Sequence, residues 1–445
     1  MRVAVVGAGY VGLVAAACFA DAGHTVRCLE RDPARRAEIT AGRAPFFEPG
    51  LAERVARAVA VRRLVVDRDA NAAVTGAEVV FVAVGTPPSP GGGSDMSQVE
   101  EALGEIAKFG RQQARVVLKS TVPVGSAIWA RQTLAALERP DLRVLSNPEF
   151  LAEGAAVRGF LEPDRVVIGA RSAEDAAPLL ALYRTVVPDH TPVLIMDHAS
   201  AELAKYAANA MLATRVSLMN ELAGLCEVSG ADIERVREVV GADVRIGDRY
   251  LRAGAGFGGS CFPKDLLALE AIGANAGRPT AIVRAVRLVN ERQRLRVYEH
   301  LLALLGRADA GGLRVAVWGL AFKPETDDLR ESPAVTVIER LVADGAQVVA
   351  WDAVAIPAAK AQLDASVVYA DDPVQAAEGA DAVLLMTEWP ELRAVDLVGL
   401  AQRMRQRIIV DGRNVFDPAV MDAAGFSWAS IGRKPRHATL GREGI

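Results

Sequence analysis

The feature that most constrains this chain is that it repeats itself. RVAVWGLAFK at 314–323 echoes RVAVVGAGYV at 2–11. VIERLVADGAQVVAWD at 337–352 mirrors CFADAGHTVRCLERD at 18–32, and GADAVLLMTEWP at 379–390 resembles GAEVVFVAVGTP at 76–87. Each copy reads strand, glycine turn, helix, strand, with apolar runs that suit strands buried on both faces. Two Rossmann-like, doubly wound parallel-sheet α/β domains, one at each end, are the simplest account. At 445 residues the chain is also too long for one core.

Between the copies, residues 198 to about 305 carry apolar positions at helical spacing and no strand pattern. The expected organisation is a dinucleotide-binding domain over 1–197, a central helical domain over 198–305, a second Rossmann-like domain over 306–432 and a disordered tail over 433–445. One long helix near 279–305 is expected to lead into the second copy.

Composition narrows the function. A net charge of −4 gives no basic excess for nucleic acid, and 51% hydrophobic with 24% charged residues suits a globular protein. The five histidines show no metal-ligand spacing, so no metal is expected. The run from Val3 to Ala20 is uncharged and follows Met-Arg, like a signal peptide or membrane span. Glycines at 7, 9 and 12 break it, and a strand opens it, so neither membrane nor export is expected.

Gly7-Ala8-Gly9-Tyr10-Val11-Gly12 fits G-x-G-x-x-G. Alone that is weak, since a glycine turn can serve packing only. Here a strand precedes it, a helix follows it, and Glu30 closes the next strand. The glycines let backbone approach a pyrophosphate, and the helix N-terminus offers it N–H groups and a positive dipole. A carboxylate at 30 binds ribose hydroxyls and repels a 2′-phosphate, which favours NAD over NADP. The second copy, Gly319-Leu320-Ala321-Phe322-Lys323, lacks the fingerprint.

Four cysteines stand at 18, 28, 226 and 261, with no C-x-x-C pair, as in a reduced cytoplasmic protein. The first three lie in apolar runs and read as core. Cys261 lies in GFGGSCFPKD, between a glycine cluster and Pro263, which suits a first helical position. A helix N-terminus and Lys264 nearby would both favour a thiolate. The glycines at 254, 256, 258 and 259 leave room for a substrate to approach it.

NAD together with a thiolate suggests hydride removal from an alcohol, capture of the aldehyde by sulfur, a second hydride removal to a thioester, and hydrolysis to an acid. That chemistry needs an oxyanion stabiliser and a water-activating group. Lys205 and Asn209, at i and i+4, share a helix face, although a solvated face would place them so as well. Asp265, Glu149 and Glu153 are candidates for handling the water. A one-step hydroxyacid dehydrogenase with a structural Cys261, and a silent nucleotide-sugar sensor, are the competing readings.

With those residues in view, the sequence resembles the UDP-glucose/GDP-mannose dehydrogenase family up to about residue 432. The resemblance rests on GAGYVG, VGTP (84–87), STVPVG (120–125), NPEFLAEG (147–154), ELAKYAANA (202–210), GFGGSCFPKD and FKPETDDLRESPA (322–334), in that order. It implies NAD-dependent oxidation of a nucleotide sugar to its acid in two hydride transfers. Cys261 would be the nucleophile, Lys205 and Asn209 the oxyanion stabilisers, Asp265 and Thr121 the pair that positions a water, and Glu149 the base for thioester hydrolysis. Glu30 and Arg35 resemble the adenosine-ribose contacts. Thr86, Thr121, Glu153, Lys264 and Arg330 resemble further NAD contacts.

The resemblance also implies sugar-nucleotide contacts at Glu149, Phe150, Leu151, Lys205, Asn209, Lys323 and Arg413. To these it adds the loop from Tyr250 through Arg252 and Phe257 to Gly258. Arg245 matches an arginine that family members lend across a dimer interface, so a homodimer or higher homo-oligomer is expected. Glu30 stands where aspartate is common, and Trp428 replaces a usual tyrosine. SCFPKD favours UDP-glucose, giving UDP-glucuronate. GDP-mannose enzymes are closer to SCLPKD, and enzymes of UDP-N-acetylmannosamine tend to carry histidine where Ser260 stands.

Overall fold

The computed structural model describes residues 1–89 and 91–438. The chain divides into two compact units, Met1–Ala208 with Leu267–Pro279 and Asn209–Leu266 with Thr280–Ile445. The described residues include no helix long and apolar enough to cross a membrane.

The first unit is built on eight strands: β1 (Arg2–Val6), β2 (Thr25–Leu29), β3 (Leu64–Asp67), β4 (Val79–Val82), β5 (Arg115–Leu118), β6 (Arg143–Ser146), β7 (Val166–Gly169) and β8 (Val193–Met196). Their order is β3-β2-β1-β4-β5-β6-β7-β8. All pairs are parallel except β6 with β7. Alternation along β1 sets the layers: Val3 and Val5 join the core under the helix Tyr10–Asp21, and Ala4 and Val6 the core on the other face. The uncharged run from Val3 to Ala20 is therefore spent on a strand, a turn and a buried helix.

The second unit repeats the scheme with β9 (Arg314–Trp318), β10 (Gln347–Trp351), β11 (Val368–Tyr369), β12 (Ala382–Leu385), β13 (Ile408–Asp411), β14 (Ser427–Ser430) and β15 (Arg433–Arg436). The order β11-β10-β9-β12-β13-β14-β15 matches the first seven places of the first sheet, without a counterpart of β8, and only β14 with β15 is antiparallel. Val315 and Val317 face one core while Ala316 and Trp318 face the other. Where a disordered tail is expected from 433, the structure has β15. The remainder of that expectation, from 439 on, lies outside the described residues.

A central helical region joins the two sheets. Its longest helix, His198–Ser229, has 32 residues, about 48 Å at 1.5 Å per residue. The single helix expected over 279–305 is two, Ala281–Gln293 and Arg296–Leu305. The break follows from local bonding. Leu295 N–H reaches back only three residues, to Arg292, and the next helix starts at Arg296.

Candidate active site

In the first unit, the turn after β1 opens the dinucleotide site. Gly7 adopts φ +95°, and a Cβ there would lie 2.7 Å from Ala83 O. A Cβ on Gly12 would lie 2.0 Å from Gly7 O, so helix and turn close only on a glycine. A Cβ on Gly9 would meet nothing within 4 Å: that glycine keeps space open toward a ligand. Beside it lies a cavity of about 340 Å³, lined by Gly7, Gly9, Glu30, Arg35 and Gly85 among others. Glu30, buried at the end of β2, accepts from Ala8 N–H at 3.2 Å and Arg35 Nη1 at 3.2 Å. This space, open backbone and carboxylate fit a dinucleotide.

Tyr10, although inside the fingerprint, is turned to a different task. Its hydroxyl donates to Glu48, and Gly154 N–H donates to it at 3.0 Å. Glu48 is buried and also accepts from the N–H groups of Gly154, Ala156 and Val157, at 2.7, 2.8 and 3.2 Å. One carboxylate thus ties the glycine loop to the end of NPEFLAEG. Burial and the Glu48 bond both push the Tyr10 phenol up, so it stays protonated.

Within that loop, Glu149 is buried and makes an ion pair with Lys205 Nζ at 2.7 Å. It also accepts from Leu151 N–H at 2.6 Å. Burial alone would raise its pKa. The charge and hydrogen bond of Lys205, with the Leu151 bond and the charge of Lys119, outweigh that and hold the carboxyl below its usual range. Phe150 carries the Arg165 guanidinium 3.8 Å from its ring centre. Thr86, buried at the end of the β4 strand region, donates to Thr121 O at 2.8 Å, so these two predicted residues share a hydrogen bond.

In the second unit, Cys261 stands immediately before the helix Phe262–Asn275, and its carbonyl accepts from Asp265 N–H at 2.9 Å. Pro263 therefore takes the second helical position, one later than expected. Cys261 is half-buried, with Sγ 3.6 Å from Ser260 Oγ. Asp265 is buried and accepts from Asn209 Nδ2 at 2.6 Å and Lys264 Nζ at 2.7 Å. Lys205 and Asn209 do lie one turn apart on one helix, each buried and each held by its own carboxylate.

The glycines before Cys261 have a reason the sequence reading missed. A Cβ on Gly258 would lie 2.3 Å from Glu331 O, and one on Gly259, at φ +81°, 2.8 Å from the Phe322 ring. Gly258 admits the backbone of Glu331 and Gly259 the Phe322 ring, so both are needed by the protein's own packing. Arg413 secures the same loop, donating to Gly256 O at 3.4 Å, Phe322 O at 3.0 Å and Met386 O at 2.7 Å. Tyr250 has φ +60° and stands 6.2 Å from Phe262, centre to centre. Lys323 lies 5.5 Å over Phe322.

Two predicted contacts lie on exposed surface of the second unit. Arg245 pairs with Asp243 at 2.6 Å, its side chain 85% exposed, and Arg330 chelates Asp328 at 2.7 Å. Lys119, Asn147 and Tyr183 were missed. The signal for Lys119 was present: a lysine that follows the apolar run Val116–Leu118 is costly to bury without a purpose.

Three family models match in chain order. They are the NAD binding domain of the UDP-glucose/GDP-mannose dehydrogenase family over residues 1–187, its central domain over 199–292, and its UDP binding domain over 316–418. The chain belongs to the UDP-glucose/GDP-mannose dehydrogenase family. It is 45% identical to a UDP-glucose 6-dehydrogenase of Pseudomonas aeruginosa, across 97% of this chain and 98% of that one. It is 42% identical to UDP-glucose 6-dehydrogenase TuaD of Bacillus subtilis, across 97% and 93%. Among solved structures it resembles a UDP-glucose dehydrogenase from Pyrobaculum islandicum, at 41% identity and a TM-score of 0.86, covering 93% and 94% of the two chains.

Proposed function

We propose that this protein oxidises UDP-glucose to UDP-glucuronate with two equivalents of NAD. The observation that carries the reading is a site chemistry that matches the near full-length likeness to UDP-glucose 6-dehydrogenases. A cysteine caps a helix, and two buried donors one helical turn apart are each set against a carboxylate. The dinucleotide, when bound, accepts the hydride in each oxidation. Gly7, Gly9, Tyr10, Val11 and Gly12 would receive its pyrophosphate through their backbone, and Glu30 with Arg35 its adenosine ribose. Thr86, Thr121, Glu153, Lys264 and Arg330 would make its remaining contacts.

The chain's own groups handle sulfur, oxygen and protons. Cys261 adds to the aldehyde as a thiohemiacetal, and the second oxidation leaves a thioester on the same sulfur. The Lys205 ammonium and the Asn209 amide donate to the oxygen that bears charge in each tetrahedral species. Asp265 and Thr121 position a water for proton transfer. Glu149, kept ionised, takes a proton from the water that hydrolyses the thioester, and Cys261 leaves as thiolate. Phe150, Leu151, Tyr250, Arg252, Phe257, Gly258, Lys323 and Arg413 hold the sugar nucleotide.

We further propose a cytoplasmic homodimer. Met211, Leu218 and Leu225 stand seven residues apart on the long helix and are 64%, 53% and 60% exposed. An apolar stripe with that period is what a facing helix covers. The exposed Arg245 is then available to the partner's substrate. Four free cysteines suit a reducing compartment.

The test is NADH released per UDP-glucose consumed with excess NAD. A ratio near two supports the reading, and a ratio near one stops the reaction at the aldehyde. Turnover only with GDP-mannose or UDP-N-acetylmannosamine would move the sugar assignment and keep the chemistry. Cys261→Ala is expected to abolish acid formation with NAD binding intact.

A further inference from the structure

Behind Glu149 the first unit encloses a polar cavity of about 110 Å³ that the reaction scheme leaves unused. A single water needs roughly 10–15 Å³ of such space, so several fit. Glu149, Asn147 and Lys119 line its inner wall, and all three are buried. Glu162 and Asp164 line its outer part and are exposed. The cavity thus leads from the hydrolytic carboxylate to solvent. Lys119 is fixed in its wall: Nζ donates to Asn147 Oδ1 and to Tyr183 Oη, both at 3.0 Å. Tyr183 in turn donates to Asn147 Oδ1 at 2.6 Å, and Asn147 Nδ2 to Val167 O at 2.8 Å.

We propose that this cavity is the exit for the proton that Glu149 takes up, and that Lys119 relays it. The inference rests on the hydrolytic role given to Glu149 above. Water gives its proton to Glu149 as its oxygen bonds to the thioester carbon, and the C–S bond breaks to release Cys261 thiolate. The Lys119 ammonium, which helps keep Glu149 ionised, gives a proton to solvent through the cavity, and the neutral amine left behind takes the proton of Glu149 through cavity water to become the ammonium again.

Lys119 suits the task because burial lowers its pKa from 10.5 to about 8. The Glu149 charge works to raise it and the Lys205 charge to lower it further. Arg165 from the β7 side, with Glu162 and Asp164 at the outer end, completes the charged groups around the cavity. An ordinary lysine would hold its proton too tightly to turn over near neutral pH.

The experiment is single-turnover kinetics of Lys119→Ala and Lys119→Arg beside the wild type, with the mass on Cys261 followed after quenching. In Lys119→Ala the first NADH burst should stay within about threefold, while thioester hydrolysis slows about 30-fold or more and the thioester accumulates. The wild-type rise in hydrolysis rate through pH 8 should vanish. Trimethylamine, which cannot form an amide, should restore acid formation. Lys119→Arg keeps the charge but cannot give up its proton, so it should remain slow. Wild-type hydrolysis in either variant, or equal loss in both half-reactions, would overturn the relay. A wild type that carries no thioester on Cys261 would instead bring down the proposed function, and the relay with it.

Discussion

After β1 the chain turns at Gly7 and begins a helix at Tyr10; after β9 it turns at Gly319 and begins none until Pro333. The two turns are otherwise close copies. Gly7 has φ +95° and Gly319 φ +92°, and each N–H donates across to the end of the next strand, to Leu29 O and Trp351 O. A carboxylate follows each of those strands, and there the copies part. Glu30 accepts one N–H from its turn. Asp352, one methylene shorter, accepts Leu320 and Ala321 N–H at 2.7 and 3.1 Å and the Trp389 indole N–H at 3.0 Å. It also accepts Val354 and Ala355 N–H at 3.0 and 2.9 Å. One sheet order thus serves two ends. In the first copy the donors at the turn remain available to an anion, and in the second a side chain of the protein has become that anion.

The largest effect that would test this contrast is on Asp352. Asp352→Ala strands five donors, four of them buried, and should cost about 3–5 kcal/mol, read as a large fall in thermal midpoint. Glu30→Gln should shift the midpoint only slightly, yet weaken NAD about tenfold or more and relax discrimination against NADP. Equal midpoint losses in the two variants would erase the distinction.

A smaller contrast sets Gly9 against Ala321, its counterpart in the repeat. Gly9→Ala has open space for its methyl, so folding should survive while NAD affinity falls about tenfold or more in a titration. Ala321→Gly should leave NAD affinity unchanged and lower stability by about 0.5–1 kcal/mol. If Gly9→Ala binds NAD normally, the cofactor does not approach that turn.

A further contrast lies in pH, where the units should drift in opposite directions. In the second unit, burial raises the Asp411 carboxyl to about 6 from 3.8. The folded state then binds the proton more tightly than the unfolded one, so stability falls as pH rises from about 4 to 6. In the first, burial lowers Lys119 to about 8 from 10.5. The unfolded state binds more protons between those values, so this group alone makes stability rise with pH from about 8 to 10.5. Each amounts to roughly 3 kcal/mol at full extent. Asp411→Asn and Lys119→Met should each flatten only its own window in pH-dependent unfolding, and a variant that flattened the other window would refute the assignment.

Much of this was legible in the sequence because it follows from period and punctuation. Fully apolar strands, the Gly-x-Gly turn and the repeated copy fixed the doubly wound architecture, and Pro263 marked the helix that Cys261 caps. What escaped had no local signature. Gly258 and Gly259 look alike whether they admit a ligand or, as here, the backbone of Glu331 and the ring of Phe322, more than 60 residues on. Glu48 and Asp352 are ordinary acids until the N–H groups converging on them are seen. The helix expected over 279–305 is two because the chain tightens to a three-residue bond at Leu295, which the apolar period across 279–305 does not signal.

The tie between Tyr10 and Glu48 has a consequence for anyone who would re-engineer the cofactor loop. A fingerprint transplanted from another dehydrogenase would bring its own residue at position 10. Without a hydroxyl there, Glu48 keeps its backbone donors at 154–157 but loses its hold on the glycine loop. The portable module is therefore larger than six residues. It includes position 48 and the stretch 154–157, and a swap that respects only the glycines would exchange a motif while cutting its mooring.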